Sequence, residues 1–209
     1  MRRARARIVL LAGLASPGTE NASAVFTLLV NEDKGDKQNY DVDKKKFDRF
    51  FDLVRQESLT QVEKEEVLKI AERMFPRIND ETKAVLGFSQ LTPEIFVSIF
   101  SIPWMHAYLN SSSVSYLKEV KCPVLAIYGE KDVQVPAKVN IEAINNIIGE
   151  GENTDITIIE IPNVNHLFQY CETGYPSEYG ISKQSMVAEV LNIISDWIVR
   201  TQEERRARS

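Results

Sequence analysis

The stretch PVLAIYG at residues 123–129 decides the fold class of this protein. Its apolar residues are continuous rather than alternating, which is typical of a β-strand buried on both faces of a parallel sheet. A second β-branched run, ITIIEI at 156–161, precedes Pro162, and helical spacing occupies 136–148 between the two runs. An amphipathic pattern over 186–198 follows. Because strands and helices alternate, the sequence predicts an α/β fold with a parallel sheet.

Upstream of this region, the chain predicts one more strand and then a block of helices. The run IVLLAG at 8–13 is typical of a buried strand that opens into a turn, so we expect about three parallel strands. Helical spacing without a strand extends from residue 43 to about residue 110. Within it, Thr60 begins one helix with a capping box, Thr92 begins another, and Pro103 is expected to end the latter.

Composition and charge limit the classes of partner. The 209 residues are 44% hydrophobic and 26% charged, which is typical of a globular chain rather than a disordered one. The net charge is -5; with +4 on residues 1–7 and +1 on residues 203–209, the residues between them carry -10. Phosphate binding needs a clustered basic face, so we expect no nucleic-acid partner. No apolar run approaches the roughly 20 residues that span a bilayer, so we expect no membrane partner.

The cysteines and the first residues bear on localisation. Cys122 and Cys171 are too few for a disulfide framework, so we expect a reducing, cytoplasmic compartment. The arginine-rich start, the apolar run at 8–11 and the small residues at 22–24 favour a second interpretation, a secretory signal over residues 1–24. Because glycine and proline break the apolar run, a strand and a turn fit it at least as well.

Each of the two buried strands is followed by a polar loop. Asp132 comes after the strand at 123–129, and His166 comes after the strand at 156–161. Successive strands of a βαβ unit tend to be neighbours, so we expect the two side chains at one edge of the sheet. A carboxylate beside an imidazole orients the ring and stabilises its protonated form, as in a hydrolase triad. Taken singly, a helix cap and a polar loop residue are the simpler interpretations.

The sequence around these two residues resembles the carboxyl-terminal half of α/β-hydrolases. Residues 122–137 resemble the family's acid loop, residues 161–168 its histidine loop, and IISDWI at 193–198 its final helix. The similarity is greatest to the capped serine carboxylesterase branch. The resemblance implies a partial α/β-hydrolase fold, with Asp132 and His166 as the acid and the base of a Ser-His-Asp triad.

The same resemblance implies a domain organisation and a substrate pocket. The implied segments are a first strand with its turn at 1–30 (the family's sixth strand), a helical cap insertion at 31–117, a carboxyl-terminal α/β-hydrolase core at 118–200 and a tail at 201–209. Within the cap, Trp104, Met105 and Tyr108 would line an apolar pocket and contact the substrate. His106 is expected to be structural.

The family's nucleophile is missing. It lies on a Gly-x-Ser-x-Gly turn between a strand and a helix, and the 209 residues contain no such turn. Ser89 and Ser182 each follow a glycine by two positions, but the second glycine and the preceding strand are absent. We therefore expect a truncated or split reading frame, in which another polypeptide supplies the serine and the oxyanion hole.

The function implied by the resemblance is hydrolysis of small carboxylic esters, with this chain inactive by itself. The alternative is a non-catalytic remnant that acts as a binding or interaction module. Within the same fold, a serine peptidase is a further alternative, because the shape of the pocket and not a sequence motif decides between ester and peptide substrates. We expect no cofactor, and no metal because the two histidines lack ligand spacing. The unpaired edge of the first strand predicts self-association.

Overall fold

The computed structural model describes residues 6–31, 37–85, 87, 89–100, 102–150, 153, 155–183 and 185–207. Contacts between residues group them into two compact units. The sheet unit lies within Met1–Ala15, Val114–Gly174 and Glu178–Ser209, and the helical unit lies within Ser16–Ser113 and Tyr175–Ser177. All the strands of the described chain belong to the sheet unit.

The chain begins with one strand, continues through a series of helices and ends with strands and helices in alternation. The strands are β1 (Ile8–Leu11), β2 (Val124–Gly129) and β3 (Ile156–Ile161). The helices are α1 (Gly18–Leu29), α2 (Lys37–Val54), α3 (Gln61–Met74), α4 (Asp80–Val85), α5 (Pro93–Ile99), α6 (Pro103–Leu109), α7 (Val114–Glu119), α8 (Ala137–Glu150) and α9 (Ala188–Ala207). Short 3-10 turns occupy Phe75–Arg77 and Pro176–Glu178.

The sheet has the order β1-β2-β3, and both strand pairs are parallel. In register, Val124 lies between Ile8 of β1 and Ile156 of β3. Every residue of the central strand β2 is buried, which explains its continuous apolar sequence. The predicted α/β class with three parallel strands is therefore confirmed for the described residues.

Helices cover both faces of β2, and successive side chains of the strand pack against different helices. Leu125 belongs to a hydrophobic cluster with Trp197 of α9 on one face. Ala126, the next residue, belongs to a cluster with Ile144 of α8 on the other face. Successive side chains of a strand point to opposite faces, so two layers of helix are needed to bury both.

An aromatic cluster forms the core of the helical unit. Phe50 and Phe51 of α2 are fully buried, and the Phe51 ring lies edge-on to Phe100 at a centroid distance of 5.2 Å. Phe26 of α1 makes a similar edge-on contact with Phe96 of α5, also at 5.2 Å. Such edge-to-face pairs add to the hydrophobic stabilisation that burial provides.

Two helix starts in this unit agree with the prediction, and one predicted helix end does not. Thr60 and Glu63 form the predicted capping box, and the Thr92 side chain caps α5. Pro103 does not end α5, which stops at Ile99; it begins α6 instead. The missing N–H of proline leaves no hydrogen bond unmade in the first turn of a helix, which explains its place there.

Two segments near the ends of the chain are more helical than expected. Residues 18–29, where we expected a turn, form α1, which packs against α2 and buries Ala22–Ala24. Helix α9 continues to Ala207 where we expected a tail, and Thr201 accepts a hydrogen bond from Arg7 Nε at 2.9 Å. No helix in the described ranges is long and apolar enough to cross a membrane.

Candidate active site

Asp132 lies in the loop between β2 and α8, in the interior of the sheet unit. It is only 2% exposed, so its carboxylate needs hydrogen-bond donors. Oδ1 accepts the backbone N–H groups of Gln134 and Val135, both at 2.8 Å. These two bonds are those of an Asx turn, which fixes the side chain and leaves Oδ2 for another donor.

His166 supplies that donor. Its Nδ1 lies 2.9 Å from Asp132 Oδ2, and its side chain is 29% exposed whereas that of Asp132 is 0% exposed. Because an ionised carboxylate only accepts, the proton lies on Nδ1, and neutral His166 presents Nε2 as a base. The hydrogen bond with Asp132 raises the pKa of His166 above its ordinary value, and partial burial of the ring opposes the shift.

The two loops are joined by backbone contacts because β2 and β3 end side by side. Gly129, the last residue of β2, is in register with Ile161, the last of β3. A Cβ atom on Gly129 would lie 2.5 Å from the carbonyl oxygen of Val164, so only glycine allows the loops to approach this closely. The Lys131 N–H donates to that same carbonyl oxygen at 3.0 Å.

Lys131 makes further contacts that the sequence did not reveal. Its Nζ donates to the carbonyl oxygens of Cys171 at 3.2 Å and Glu172 at 2.7 Å. Gly174 packs so closely on the Lys131 carbonyl that a Cβ atom would overlap it, and its φ of +84° favours glycine independently. The residue before Asp132 is thus held by the segment that follows the histidine loop.

A second connection reaches the acid loop from Tyr179. Gln134, whose N–H binds Asp132, donates its side-chain amide to the Tyr179 hydroxyl at 2.7 Å. Burial, together with the nearby Asp132 charge, raises the pKa of Tyr179 to about 12 despite the hydrogen bond from Gln134. The tyrosine therefore stays neutral and acts here as a hydrogen-bond acceptor.

The histidine loop has its own internal support from Asn165. This residue is 1% exposed, and its Oδ1 accepts the N–H groups of Leu167 at 2.9 Å and Gln169 at 3.1 Å. An asparagine in a loop directly before the candidate base is the signal that could have identified it, because Asx turns are built on such residues.

The residues predicted to contact the substrate lie in the helical unit. Met105 and Tyr108 of α6 are partly buried and pack against its aromatic core, and Tyr108 accepts a hydrogen bond from Asn21 Nδ2 at 3.1 Å. Trp104 is 64% exposed. His106 of the same helix lies near Asn110, with 3.4 Å between the two side-chain nitrogens.

A nucleophile bonded to His166 and a set of metal ligands are both absent among the described residues. Within them, no side chain hydrogen-bonds with His166 Nε2, and no group of three His, Cys, Asp or Glu residues could hold a metal ion. Ser89 lies exposed in a turn of the helical unit. Ser182 lines an open cavity of about 540 Å³ with Asn165 and Gln169, but no hydrogen bond joins it to His166.

Comparison with protein-family models, curated proteins and solved structures finds no match to this chain. The geometry alone defines the class of site. It is a buried carboxylate bound to a half-exposed imidazole at the carboxyl ends of adjacent parallel strands. Such an arrangement can accept a proton at Nε2 and stabilise the resulting imidazolium.

Proposed function

We propose that this chain provides the acid–base half of a serine hydrolase that cleaves carboxylic esters. One observation carries the proposal, the 2.9 Å contact between His166 Nδ1 and the fully buried Asp132 Oδ2. The similarity of residues 122–137 and 161–168 to the acid and histidine loops of α/β-hydrolases supports it. A serine on a Gly-x-Ser-x-Gly turn of another polypeptide segment would complete the triad.

In the proposed mechanism, His166 Nε2 accepts the serine proton as the hydroxyl oxygen attacks the ester carbonyl. Asp132 stabilises the imidazolium and keeps the ring oriented. The imidazolium then gives its proton to the departing alkoxide, which leaves as an alcohol and an acyl-serine remains. A water molecule, deprotonated in the same way, releases the carboxylic acid and restores the serine.

The substrate class follows from the resemblance rather than from this site. Small esters are the substrates that the carboxylesterase branch implies. Peptides are the competing substrate within the same mechanism, because the acid and the base are identical for both.

Active-site labelling tests the proposal. The chain is tagged and purified from its source cells with the polypeptides that bind it, then treated with a fluorophosphonate, which reacts only with an activated serine. We expect labelling of a serine in a co-purifying polypeptide, and loss of that labelling with His166→Ala. The matched control, His106→Ala, should leave the labelling intact. No labelled serine, or equal labelling with His166→Ala, would contradict the proposal.

The binding-module alternative fits the lack of a described side chain bonded to His166 Nε2 equally well, because neither hypothesis places a nucleophile in this chain. Both hypotheses predict no hydrolysis of p-nitrophenyl esters by the isolated chain. Turnover that disappears with Ser182→Ala, but not with Ser89→Ala, would contradict both and identify a nucleophile within the chain. Co-purification of partners without any labelled serine would favour the binding module.

A further inference from the structure

An open groove of about 580 Å³ runs between α2 and α3 in the helical unit. Lys45 comes from α2, and Val62, Lys69, Ile70 and Arg73 come from α3. The short connection between the helices makes them antiparallel neighbours. The groove is therefore an elongated depression along two helices, and it is separate from the Asp132–His166 site, which belongs to the other unit.

The charges in this groove are unbalanced. Lys45, Lys69 and Arg73 form no ion pair or hydrogen bond with the residues that the structure describes. By contrast, the neighbouring Arg49 binds both carboxylate oxygens of Glu66, at 2.9 and 2.8 Å. Glu65 also lines the groove and accepts a hydrogen bond from the Gln61 side chain, so the three unpaired cations stand against one carboxylate without a cationic partner among the described residues. The remaining like charges repel one another, and an anionic occupant would reduce that repulsion. This excess of positive charge is local, since the net charge of the whole chain is -5.

Apolar surface accompanies the charge. Val62 is 75% exposed, although its side chain has no polar group to solvate, and Ile70 is half-buried on the same side of α3. From Val62 to Arg73 the helix rises about 16 Å, the length of three helical turns. A small anion would contact one end of this surface, whereas a helix of three turns would contact both its apolar and its basic parts.

We propose that the groove between α2 and α3 binds an acidic amphipathic helix of a partner protein. Acidic side chains spaced at i and i+4 on that helix would meet Lys69 and Arg73, which are themselves spaced by four residues. Its apolar side chains would cover Val62 and Ile70. The depression favours a rod-shaped occupant over a flat membrane surface, and the Glu65 carboxylate at its wall disfavours a uniformly anionic polymer.

A displayed library of 14-residue peptides tests this proposal with the full-length chain as bait. We expect enrichment of sequences that combine Asp or Glu with Leu, Ile or Phe at helical spacing. A selected peptide, measured by fluorescence anisotropy, should bind at least about tenfold more weakly to Lys69→Glu/Arg73→Glu. Val62→Ser should also weaken it, and added salt should weaken it further.

Lys64→Glu provides the matched control, because Lys64 lies on α3, is exposed and does not line the groove. Equal loss of binding with Lys64→Glu would show a nonspecific charge effect and overturn the proposal. So would the absence of enriched peptides, binding to phosphatidylserine vesicles that Lys69→Glu/Arg73→Glu abolishes, or a self-association that the same double variant abolishes. Because all the substituted residues lie in the helical unit, the outcome is independent of the hydrolase proposal.

Discussion

A carboxylate is stable in the interior of a protein only when both its oxygens are hydrogen-bonded, and Asp132 meets this requirement with three donors. Two are backbone N–H groups of its own loop, and the third is His166 Nδ1. Only the third donor can change its proton content near neutral pH. The fixed geometry of the carboxylate therefore acts on His166, whose pKa it raises.

Replacing Asp132 should make this coupling visible. In Asp132→Asn, we expect the pKa of His166 to fall toward its ordinary value of 6.5, because the negative charge that stabilises the imidazolium is removed. Proton NMR of the imidazole resonances during a pH titration measures the change, with the His106 resonances as internal reference. An unchanged His166 titration would show that the two side chains do not interact in solution.

The same coupling makes stability depend on pH. Folded His166 binds its proton more tightly than the unfolded chain, so it stabilises the fold fully below the unfolded pKa of 6.5. That stabilisation disappears as the pH rises through the folded pKa. His166→Gln should therefore lose more unfolding free energy at about pH 5.5 than at about pH 8.5, as measured by urea denaturation. A loss that is larger at the higher pH would contradict the coupling.

Two glycines separate the effect of backbone conformation from that of close packing. Gly174 and Gly180 have similar φ values of +84° and +90°, but only Gly174 lies against another group, the Lys131 carbonyl. Gly180→Ala should lower the unfolding free energy by about 1 kcal/mol, the ordinary effect of alanine at positive φ. Gly174→Ala should lower it by about 2 to 3 kcal/mol and displace Lys131.

Thermal or urea denaturation measures both variants, and the His166 resonances provide a second measurement. Movement of Lys131 shifts the adjacent Asp132, so we expect Gly174→Ala, but not Gly180→Ala, to change the His166 titration. Equal losses of stability in the two variants would show that the contact at the Lys131 carbonyl has no energetic effect.

The contact between Asp132 and His166 was predictable from the sequence, and the residues that position these two side chains were only partly so. Asp132 and His166 follow buried strands in short polar loops, a local pattern that the sequence displays directly. Lys131 binds carbonyl groups about 40 residues further along, and no local pattern encodes such a contact. Asn165 lies between these cases, because its Asx turn is local.

At the scale of elements, the strands were easier to predict than the short helices. Six residues of continuous apolar sequence define β2, since the strand is buried on both faces. The helix α1 was missed because the Pro17-Gly18 pair at its start is typical of a turn. Its small residues are buried and the helix packs against α2, so tertiary packing stabilises a helix that the local sequence does not predict.

The capping box of α3 gives a prediction at this scale. Thr60 Oγ1 accepts the Glu63 N–H at 3.3 Å, and Glu63 Oε2 accepts the Thr60 N–H at 2.9 Å. Thr60→Ala should lower the unfolding free energy by about 1 kcal/mol, because the Glu63 N–H in the first turn of α3 loses its acceptor and the Glu63 carboxylate loses the Thr60 hydroxyl, which donates to it at 2.7 Å. Urea denaturation measures the loss.

A double-mutant cycle provides the control for this prediction. Glu63→Ala should destabilise the protein less in the Thr60→Ala background than in the wild type, because each residue depends on the other. Strictly additive effects would mean that the two hydrogen bonds do not form a unit.

For the whole molecule, the sequence predicted the α/β class and the three parallel strands, and the structure adds the grouping of the described residues into two units. The helical unit begins at Ser16 and includes α1, and it also includes Tyr175–Ser177. Tyr175 donates a hydrogen bond to the Leu28 carbonyl at 3.0 Å, across a separation of 147 residues. Contacts between residues so far apart in the sequence depend on the complete fold, so local sequence patterns do not predict them.

The edge of the sheet determines how copies of the chain should associate. β1 is at one end of the strand order in the described sheet, with β2 on its inner side. The N–H groups of Ile8 and Ala12 point inward, to the carbonyl oxygens of Pro123 and Ile127. Because the N–H groups of successive residues in a parallel strand point to opposite edges, the N–H of Leu11 points outward, and the residue is 41% exposed.

We expect this edge to pair with the same edge of a second copy, because it is apolar and carries no lysine to prevent pairing. Leu11→Pro removes the outward N–H without touching the bonds to β2, so it should shift the protein toward the monomer. Leu11→Thr, the matched control, keeps the N–H and should still associate. Sedimentation equilibrium at tens of micromolar measures all three proteins. A monomeric wild type, or a Leu11→Pro variant that associates as strongly, would show that another part of the chain protects the β1 edge.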